Sequence, residues 1–214
     1  MEDIIIYGAG GMAREVAALI EDINHDSPVW NILGYIDDFK GACGEYVNGY
    51  KILGSHEVLK NLKKPANLVI AVGDPAAKES IYNRIKEYNL HYPVLIHPSA
   101  RVSGSASIAE GTIIGMDCIV QVNVKIGRHV FLNMRTILGH DVEIMDFSSC
   151  LVNCIVSGNV IVRKGALLGS GCVVMEKRSI GERAKVSMGA VVSFDVEDGY
   201  VAMSRPTKSM KFEI

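Results

Sequence analysis

The chain has 214 residues, about half of them hydrophobic, which suffices for one large domain or two small ones with a real core. A formal net charge of −2 offers no footing for a polyanion such as nucleic acid, and no apolar run reaches the ~20 residues of a membrane-spanning helix. The opening residues Met1-Glu2-Asp3-Ile4 are acidic and lead straight into an apolar segment, unlike a secretory leader, so a cytoplasmic address is expected.

The first predicted element is a buried parallel strand, Asp3-Ile4-Ile5-Ile6-Tyr7. It runs into Gly8-Ala9-Gly10-Gly11-Met12-Ala13 and then a helical pattern over 14–23. This fits G-x-G-x-x-A between strand and helix, where Gly8, Gly10 and Gly11 let backbone N–H groups approach a diphosphate at a helix N-terminus. A tight turn alone would also account for the glycines. A second strand over 32–36 ends in Asp37-Asp38, near the usual spacing for an acid that receives a ribose or base; the alternative is a pair of solvated turn acids. A third strand over 68–72 ends in Gly73-Asp74-Pro75 and leads into a helix over 76–87. All three motifs fall beyond the carboxyl ends of the strands, where ligands of such sheets gather. At about 95 residues, this Rossmann-like α/β domain (1–95) is too small for the two halves of a full dinucleotide fold and favours a mononucleotide or nucleotide sugar. Residues 92–99 read as an extended linker.

From Val102 the chain repeats in steps of six: of sixteen successive positions to Val192, all but Cys150 are Val, Ile or Leu. That period is neither the 3.6 of a helix nor the 2 of a strand, and it is the signature of a parallel β-helix. Three short strands make a triangular coil of eighteen residues, with one aliphatic side chain per side pointing inward. The prediction for 96–214 is therefore a left-handed parallel β-helix with a C-terminal tail. Four residues after each aliphatic position lies a second column, mostly small, which includes Cys118, Cys154 and Cys172. With Cys43, the five cysteines are odd in number and hold no Cys-x-x-Cys pair, so neither a disulfide framework nor a metal site is expected, and the column reads as small buried hydrophobes. Glycine follows the aliphatic position at Gly115, Gly127, Gly139, Gly169 and Gly181, as suits corners that need φ > 0.

Among six histidines, His140 stands out: in Leu138-Gly139-His140-Asp141 it falls at an outward corner beside an acid that could orient its ring, leaving the other nitrogen as a general base. An exposed polar pair on a turn is the competing reading. Eighteen residues on, in the next coil, lies Gly158, whose N–H could hold an oxyanion. Asn123, Asp141 and Asn159 form the neighbouring column, although asparagines also simply cap corners. His129 is a rival base without an adjacent acid, and His97 reads as structural.

Taken together, Tyr7-Gly8-Ala9-Gly10-Gly11, Ile36-Asp37-Asp38-Phe39-Lys40-Gly41, Ile70-Ala71-Val72-Gly73, Ile96-His97-Pro98-Ser99-Ala100, Gly139-His140-Asp141 and Ser157-Gly158-Asn159-Val160 resemble one family over nearly the whole chain. It is that of the bacterial left-handed β-helix sugar acyltransferases, which comprises nucleotide-sugar N-acetyltransferases and sialic acid O-acetyltransferases. The resemblance implies a homotrimer with acetyl-CoA in the groove between neighbouring β-helices, no metal, and a nucleotide sugar on the N-terminal domain, in surface polysaccharide or glycan synthesis. It implies that His140 takes a proton from the sugar amine or hydroxyl, that Asp141 supports it, that Gly158 holds the thioester oxygen and that Asn133 shares the site. Ser170, Gly171, Met188 and Gly189 would line the CoA channel, with Gly158 at its reacting end. Gly8, Gly10, Gly11, Met12, Asp37, Asp38, Lys40, Gly73 and Asp74 would face the nucleotide sugar. The chain departs from the pattern at Met12, where relatives carry His or Phe, at Ser149, where some carry a second histidine, and at Ser204-Arg205-Pro206-Thr207-Lys208 in place of Gly-x-Pro-Ala-Lys; an acyl group other than acetyl stays open. Two further readings stay open beside N-acylation of a nucleotide-linked amino-deoxy sugar: O-acylation of a sugar hydroxyl, and a trimeric nucleotide-sugar-binding scaffold without catalysis. A dehydrogenase is disfavoured by the small first domain.

Overall fold

The computed structural model describes residues 1–39, 41–62 and 64–204. The N-terminal domain is a six-stranded sheet in the order β3-β4-β2-β1-β5-β6, parallel except for the β3–β4 hairpin. Its elements are β1 (Glu2–Tyr7), α1 (Gly11–Asp26), β2 (Trp30–Ile36), β3 (Tyr46–Val47), β4 (Tyr50–Gly54), β5 (Ala66–Ile70), α2 (Pro75–Ile85) and β6 (Leu90–His91). The sequence pattern locates β1, β2, β5 and both helices within a few residues. It misses β3, β4 and β6, because two-residue strands and a hairpin turning at Asn48-Gly49 carry too little periodicity. The crossover from β2 to β5 holds that hairpin and a 3₁₀ turn (His56–Asn61) instead of an α-helix.

The β-helix has three flat faces whose strands stack in parallel at eighteen-residue steps. The first face runs through Ile113–Ile114, Phe131–Leu132 and Ser149–Cys150. The second runs through Ile119–Val120, Ile137–Leu138 and Ile155–Val156, and the third through Lys125–Ile126, Glu143–Ile144 and Ile161–Val162. One correction concerns its start. Leu95–Ile96, expected in the linker, is already a strand of the first face and pairs with Ile113–Ile114, so the hexads begin one step before Val102. After Val192 the coil shortens: Ala202 stacks on Val186 and Val196 on Ile180, sixteen residues apart.

The inward columns form one dry core from Ile114 to Val192. Each fully buried aliphatic side chain contributes about 1.5–3 kcal/mol relative to an exposed one. In the small column, Cys118, Cys154 and Cys172 are buried thiols. Thr112, Thr136 and Ser148 in the same column donate their hydroxyls to Gly127 O, Leu151 O and Arg163 O of the next coil, so their burial leaves no donor unmet.

The corner glycines need a different explanation from the expected one. Positive φ falls three places after the aliphatic residue, at Asp117, Asn123, Arg135, Asp141, Asn153 and Asn159, among others, and at Gly165, Gly171 and Gly189. Gly115, Gly127, Gly139, Gly169 and Gly181 are not in that region; they are glycine because the next coil's backbone occupies the place of a Cβ. At Gly169 a Cβ would lie 2.6 Å from Met188 N and 2.7 Å from Val186 O. Gly169→Ala is therefore expected to lower stability by about 1–3 kcal/mol, the usual range for overpacking, read as a lower urea midpoint with an unchanged slope.

The N-terminal domain sits on the first face. Ile113 and Phe131 join the cluster of Val16, Leu19 and Ile20 from α1. Tyr82 of α2, with Tyr92, packs around His129 and Phe147. His97 pins the junction, its Nδ1 accepting from Ser99 N at 3.0 Å and its Nε2 meeting Asp22 Oδ2 at 3.0 Å. The third face shows mostly polar side chains outward. The second shows Ile119, Ile137, Ile155, Val173 and Val191 in one outward ladder, with Val191 72% exposed and Ile155 37%. Nothing among the described residues covers that ladder.

Candidate active site

Strand order reverses at β1, which lies between β2 and β5, and a crevice of about 310 Å³ opens at their carboxyl ends. It is lined by Tyr7, Gly8, Asp37, Asp38, Phe39, Val72 and, from α2, Ala77, Ile81 and Arg84. Gly8 has φ +113 and a Cβ there would meet Ala71 O at 3.0 Å, so glycine is needed for the chain to leave β1. Gly10 caps α1 without a side-chain bond. Asp37 accepts from Ala9 N and Phe39 N, both at 2.8 Å, and so holds the loop against the second strand. Asp38 accepts from Tyr7 OH at 2.7 Å, from His56 N at 3.0 Å and from Arg84, with His56 Nδ1 at 2.9 Å. Burial opposes the charge on Asp38, but the bonds from His56 and Tyr7 outweigh it and hold the carboxyl below its ordinary range. Burial first, then Asp38, pushes the Tyr7 phenol well up. Both oxygens of Asp38 are thus engaged by protein donors, and Asp38 organises the crevice wall. Asp74 is the N-cap of α2, accepting from Ala77 N at 2.8 Å. Met12 lies over Gly73, its sulfur 3.6 Å from where a Cβ would stand. Lys40 lies outside the described residues, as do Arg205, Pro206, Thr207 and Lys208 of the C-terminal motif.

The second constellation stands at the corner between the second and third faces. His140 Nδ1 meets Asp141 Oδ2 at 2.8 Å, and Asp141 Oδ1 accepts from Asn123 Nδ2 at 3.0 Å. These bonds from His140 and Asn123 lower the carboxyl of Asp141. Asp141 reaches back to its neighbour because its own backbone is left-handed, with φ +57, a conformation that aspartate tolerates. The imidazole lies flat on the next coil. A Cβ at residue 158 would stand 2.5 Å from His140 Nε2, so only glycine there accommodates the ring. The amides of Arg128 and Glu182, at the same hexad place, donate to Asp146 and Asp198, whereas Gly158 N–H meets no acceptor among the described residues. Nε2 and a spare amide therefore stand at the same outward corner.

The third set occupies the opposite edge of the second face. Asn133 follows Leu132, and Ser170, Gly171, Met188 and Gly189 lie in the coils stacked above it. Gly171 and Gly189 have φ +68 and +65 with no atom within 4 Å of a Cβ, and Met188 is exposed. Within one chain, then, the structure brings together His140, Asp141 and Gly158, but not Asn133, Ser170, Gly171, Met188 or Gly189, which a whole face separates from them. His129 is not a competing base: it is buried, and burial followed by the charges of Lys78 and Arg128 pushes its pKa down to about 4.

Comparison with known proteins agrees with this geometry. Residues 3–85 match the PglD N-terminal domain family. A GDP-perosamine N-acetyltransferase of Escherichia coli O157:H7 is 30% identical over 178 residues, which cover 80% of this chain and 77% of the relative. The chain belongs to the sugar N-acetyltransferases of the left-handed β-helix class. Among solved structures, the acetyltransferase domain of PglB from Neisseria gonorrhoeae, in complex with acetyl coenzyme A, superposes with a TM-score of 0.83 at 25% identity over 94% of this chain and 95% of that one. A mutant perosamine N-acetyltransferase from Caulobacter crescentus, in complex with CoA and GDP-perosamine, shares the fold with a TM-score of 0.87 at 23% identity over 97% and 96% of the two chains. The family resemblance read from the sequence is thereby borne out, as is the pairing of a Rossmann-like domain with a left-handed β-helix. No described helix is long and apolar enough to cross a membrane.

Sequence reasoning missed Tyr7, His56 and Arg84 as partners of Asp38, since their separation along the chain carries no pattern. Asn123 has a signal, its eighteen-residue spacing from Asp141 in the neighbouring column, but capping alone also explains an asparagine at such a corner.

Proposed function

We propose that the protein is an acetyl-CoA-dependent N-acetyltransferase acting on the amino group of a nucleotide-linked amino-deoxy sugar. The observation that carries this reading is His140, held through Nδ1 by Asp141 and with Nε2 open beside the spare Gly158 amide. The sugar amine attacks the thioester carbonyl. Nε2 removes the amine proton, Asp141 stabilises the resulting imidazolium, and the Gly158 N–H faces the developing oxyanion. Collapse expels the thiolate of CoA, which recovers the proton from His140. The nucleotide occupies the crevice at the end of β1, the place where doubly wound sheets take ligands.

The proposal includes a homotrimer in the cytoplasm. The uncovered apolar ladder of the second face calls for a partner, and the two halves of the acyl site flank that face. Parallel copies packed in a ring through it bring His140 of one chain beside Asn133 of the next. Cytoplasmic placement suits four buried free thiols and two phosphorylated cosubstrates.

The test is mass spectrometry of reactions with acetyl-CoA and GDP-, UDP- and dTDP-linked amino-deoxy sugars, beside the corresponding hydroxy sugars. The expected product is an amino sugar heavier by one acetyl group, with release of CoA. Acetylation of the hydroxy sugar alone, or of none of them, overturns the reading. The shared site makes its own prediction. Coexpressed His140→Ala and Asn133→Ala chains should form mixed oligomers in which about a quarter of the sites hold both native residues, recovering activity that neither variant shows alone.

A further inference from the structure

A polar ladder climbs the His140 corner through three successive coils. Ser105 Oγ accepts from Asn123 N at 3.0 Å, Asn123 Nδ2 donates to Asp141 Oδ1 at 3.0 Å, and Asp141 Oδ2 meets His140 Nδ1 at 2.8 Å. Each rung rests on the one below, because residues eighteen apart stack. Asn123 has φ +58, one of the few non-glycine side chains at ease in that conformation, and its backbone is further fixed by Ser105. The carboxylate of Asp141 is about half exposed, so on its own it would turn freely about its last torsion and share both oxygens with water.

We infer that Asn123 is a positioning residue for the transfer reaction: it anchors one oxygen of Asp141 so that the other holds His140 as the Nδ1–H tautomer, with the Nε2 lone pair directed at the acceptor. This rests on the proposed role of His140 and deepens it. Asn123 touches neither ring nor substrate; it acts through Asp141. An amide suits the task because it donates to a carboxylate without adding charge. An aspartate in its place would set two carboxylates about 3 Å apart, and like charges at that distance resist joint ionisation. The shared proton would weaken the hold on His140 at low pH, and the added negative charge would raise the pH at which the imidazole loses its own proton.

Two measurements test this. Selective ¹⁵N-histidine labelling of the full-length protein, with the His140 signal assigned from His140→Asn, reports tautomer and titration without any substrate. Asn123→Gly should convert the His140 signal from predominantly Nδ1–H to a tautomer mixture, and Asn123→Asp should raise its titration midpoint. In the acetyl-transfer assay, Asn123→Gly, which keeps the left-handed backbone without strain, should lose about tenfold in kcat, the rate equivalent of one hydrogen bond to a charged group, with KM for both substrates and the melting temperature unchanged. Asn123→Ser, with a shorter donor in the same place, should recover part of it. An unchanged His140 tautomer and midpoint in both the Gly and Asp variants overturns the inference, as does a kcat loss that tracks a fall in melting temperature. If the wild-type chain acetylates no sugar, the N-acetyltransferase reading fails, while the histidine spectra still decide whether Asn123 orients the ring.

Discussion

Replacement of His140 by alanine should lower kcat by about 10²–10⁴-fold, the usual contribution of a positioned general base, with little change in the affinity for acetyl-CoA. The imidazole is 60% exposed at an outward corner, so its loss removes no core packing, and the variant should unfold at the wild-type urea midpoint. Gly158→Ala supplies the complementary test. The added methyl would stand 2.5 Å from Nε2 and 2.7 Å from Cε1 of His140, which forces the ring off the coil and away from Asp141. It should therefore lose at least tenfold in kcat, although the base itself is intact. The measurement is steady-state kinetics with calorimetric titration of acetyl-CoA. If His140→Ala turns over as fast as the wild type, another group takes the proton and the mechanism is wrong.

This site was partly legible in the sequence because the β-helix is close to one-dimensional. A strict six-residue period fixes which side chains point inward, and an eighteen-residue period fixes which residues stack. The juxtaposition of His140 with Gly158 followed from counting alone, as did the buried cysteine column. What counting could not supply was the reason for the corner glycines. Inter-coil contact at Gly139 and left-handed backbone at Gly171 look alike in a sequence, yet only the first excludes a Cβ on steric grounds. The N-terminal domain was less legible. Asp38 has the chain position of a nucleotide-binding acid, but its partners Tyr7, His56 and Arg84 come from three separate elements, and only folding shows that its oxygens are engaged. The separation of Asn133 from His140 by a whole face was likewise hidden. The two are seven residues apart, which resembles proximity in a helix and is a corner-to-corner span here.

The domain junction should make stability unusually dependent on pH, through Lys78. This residue of α2 is buried against the first face, its amine nitrogen bonded to Ser149 Oγ at 3.0 Å and Ser148 O at 3.4 Å, with no carboxylate of the described residues bound to it. Burial pushes its pKa from 10.5 down to about 7, Asp74 and Cys150 pulling the other way. The neighbouring groups do not neutralise it. His129 is held neutral by burial, and Glu79 is taken by Lys164 and Arg183. Between those two pKa values the unfolded chain carries a proton on Lys78 that the folded chain lacks, so stability rises with pH across that window and falls as pH drops toward 7. From pH 7.5 to 9.5 the contribution of Lys78 alone should grow by about 2–3 kcal/mol, read as the change in the difference between wild type and Lys78→Met at fixed protein concentration. Lys78→Met keeps the volume and removes the titration, so its melting temperature should lack that rise over the same range. His129 acts in the same direction at lower pH: with a folded pKa of about 4 against 6.5 unfolded, it withdraws stability as pH falls from 6.5 to 4. From about pH 9 the slope should flatten and then reverse, since burial raises the thiols of Cys118 and Cys150 and the phenols of Tyr7 and Tyr92, and the folded state then holds the extra protons. Melting temperatures of wild type and Lys78→Met that run parallel between pH 7.5 and 9.5 would mean that Lys78 keeps its charge inside the junction, and the packing of α2 on the first face would need another account of how that charge is solvated.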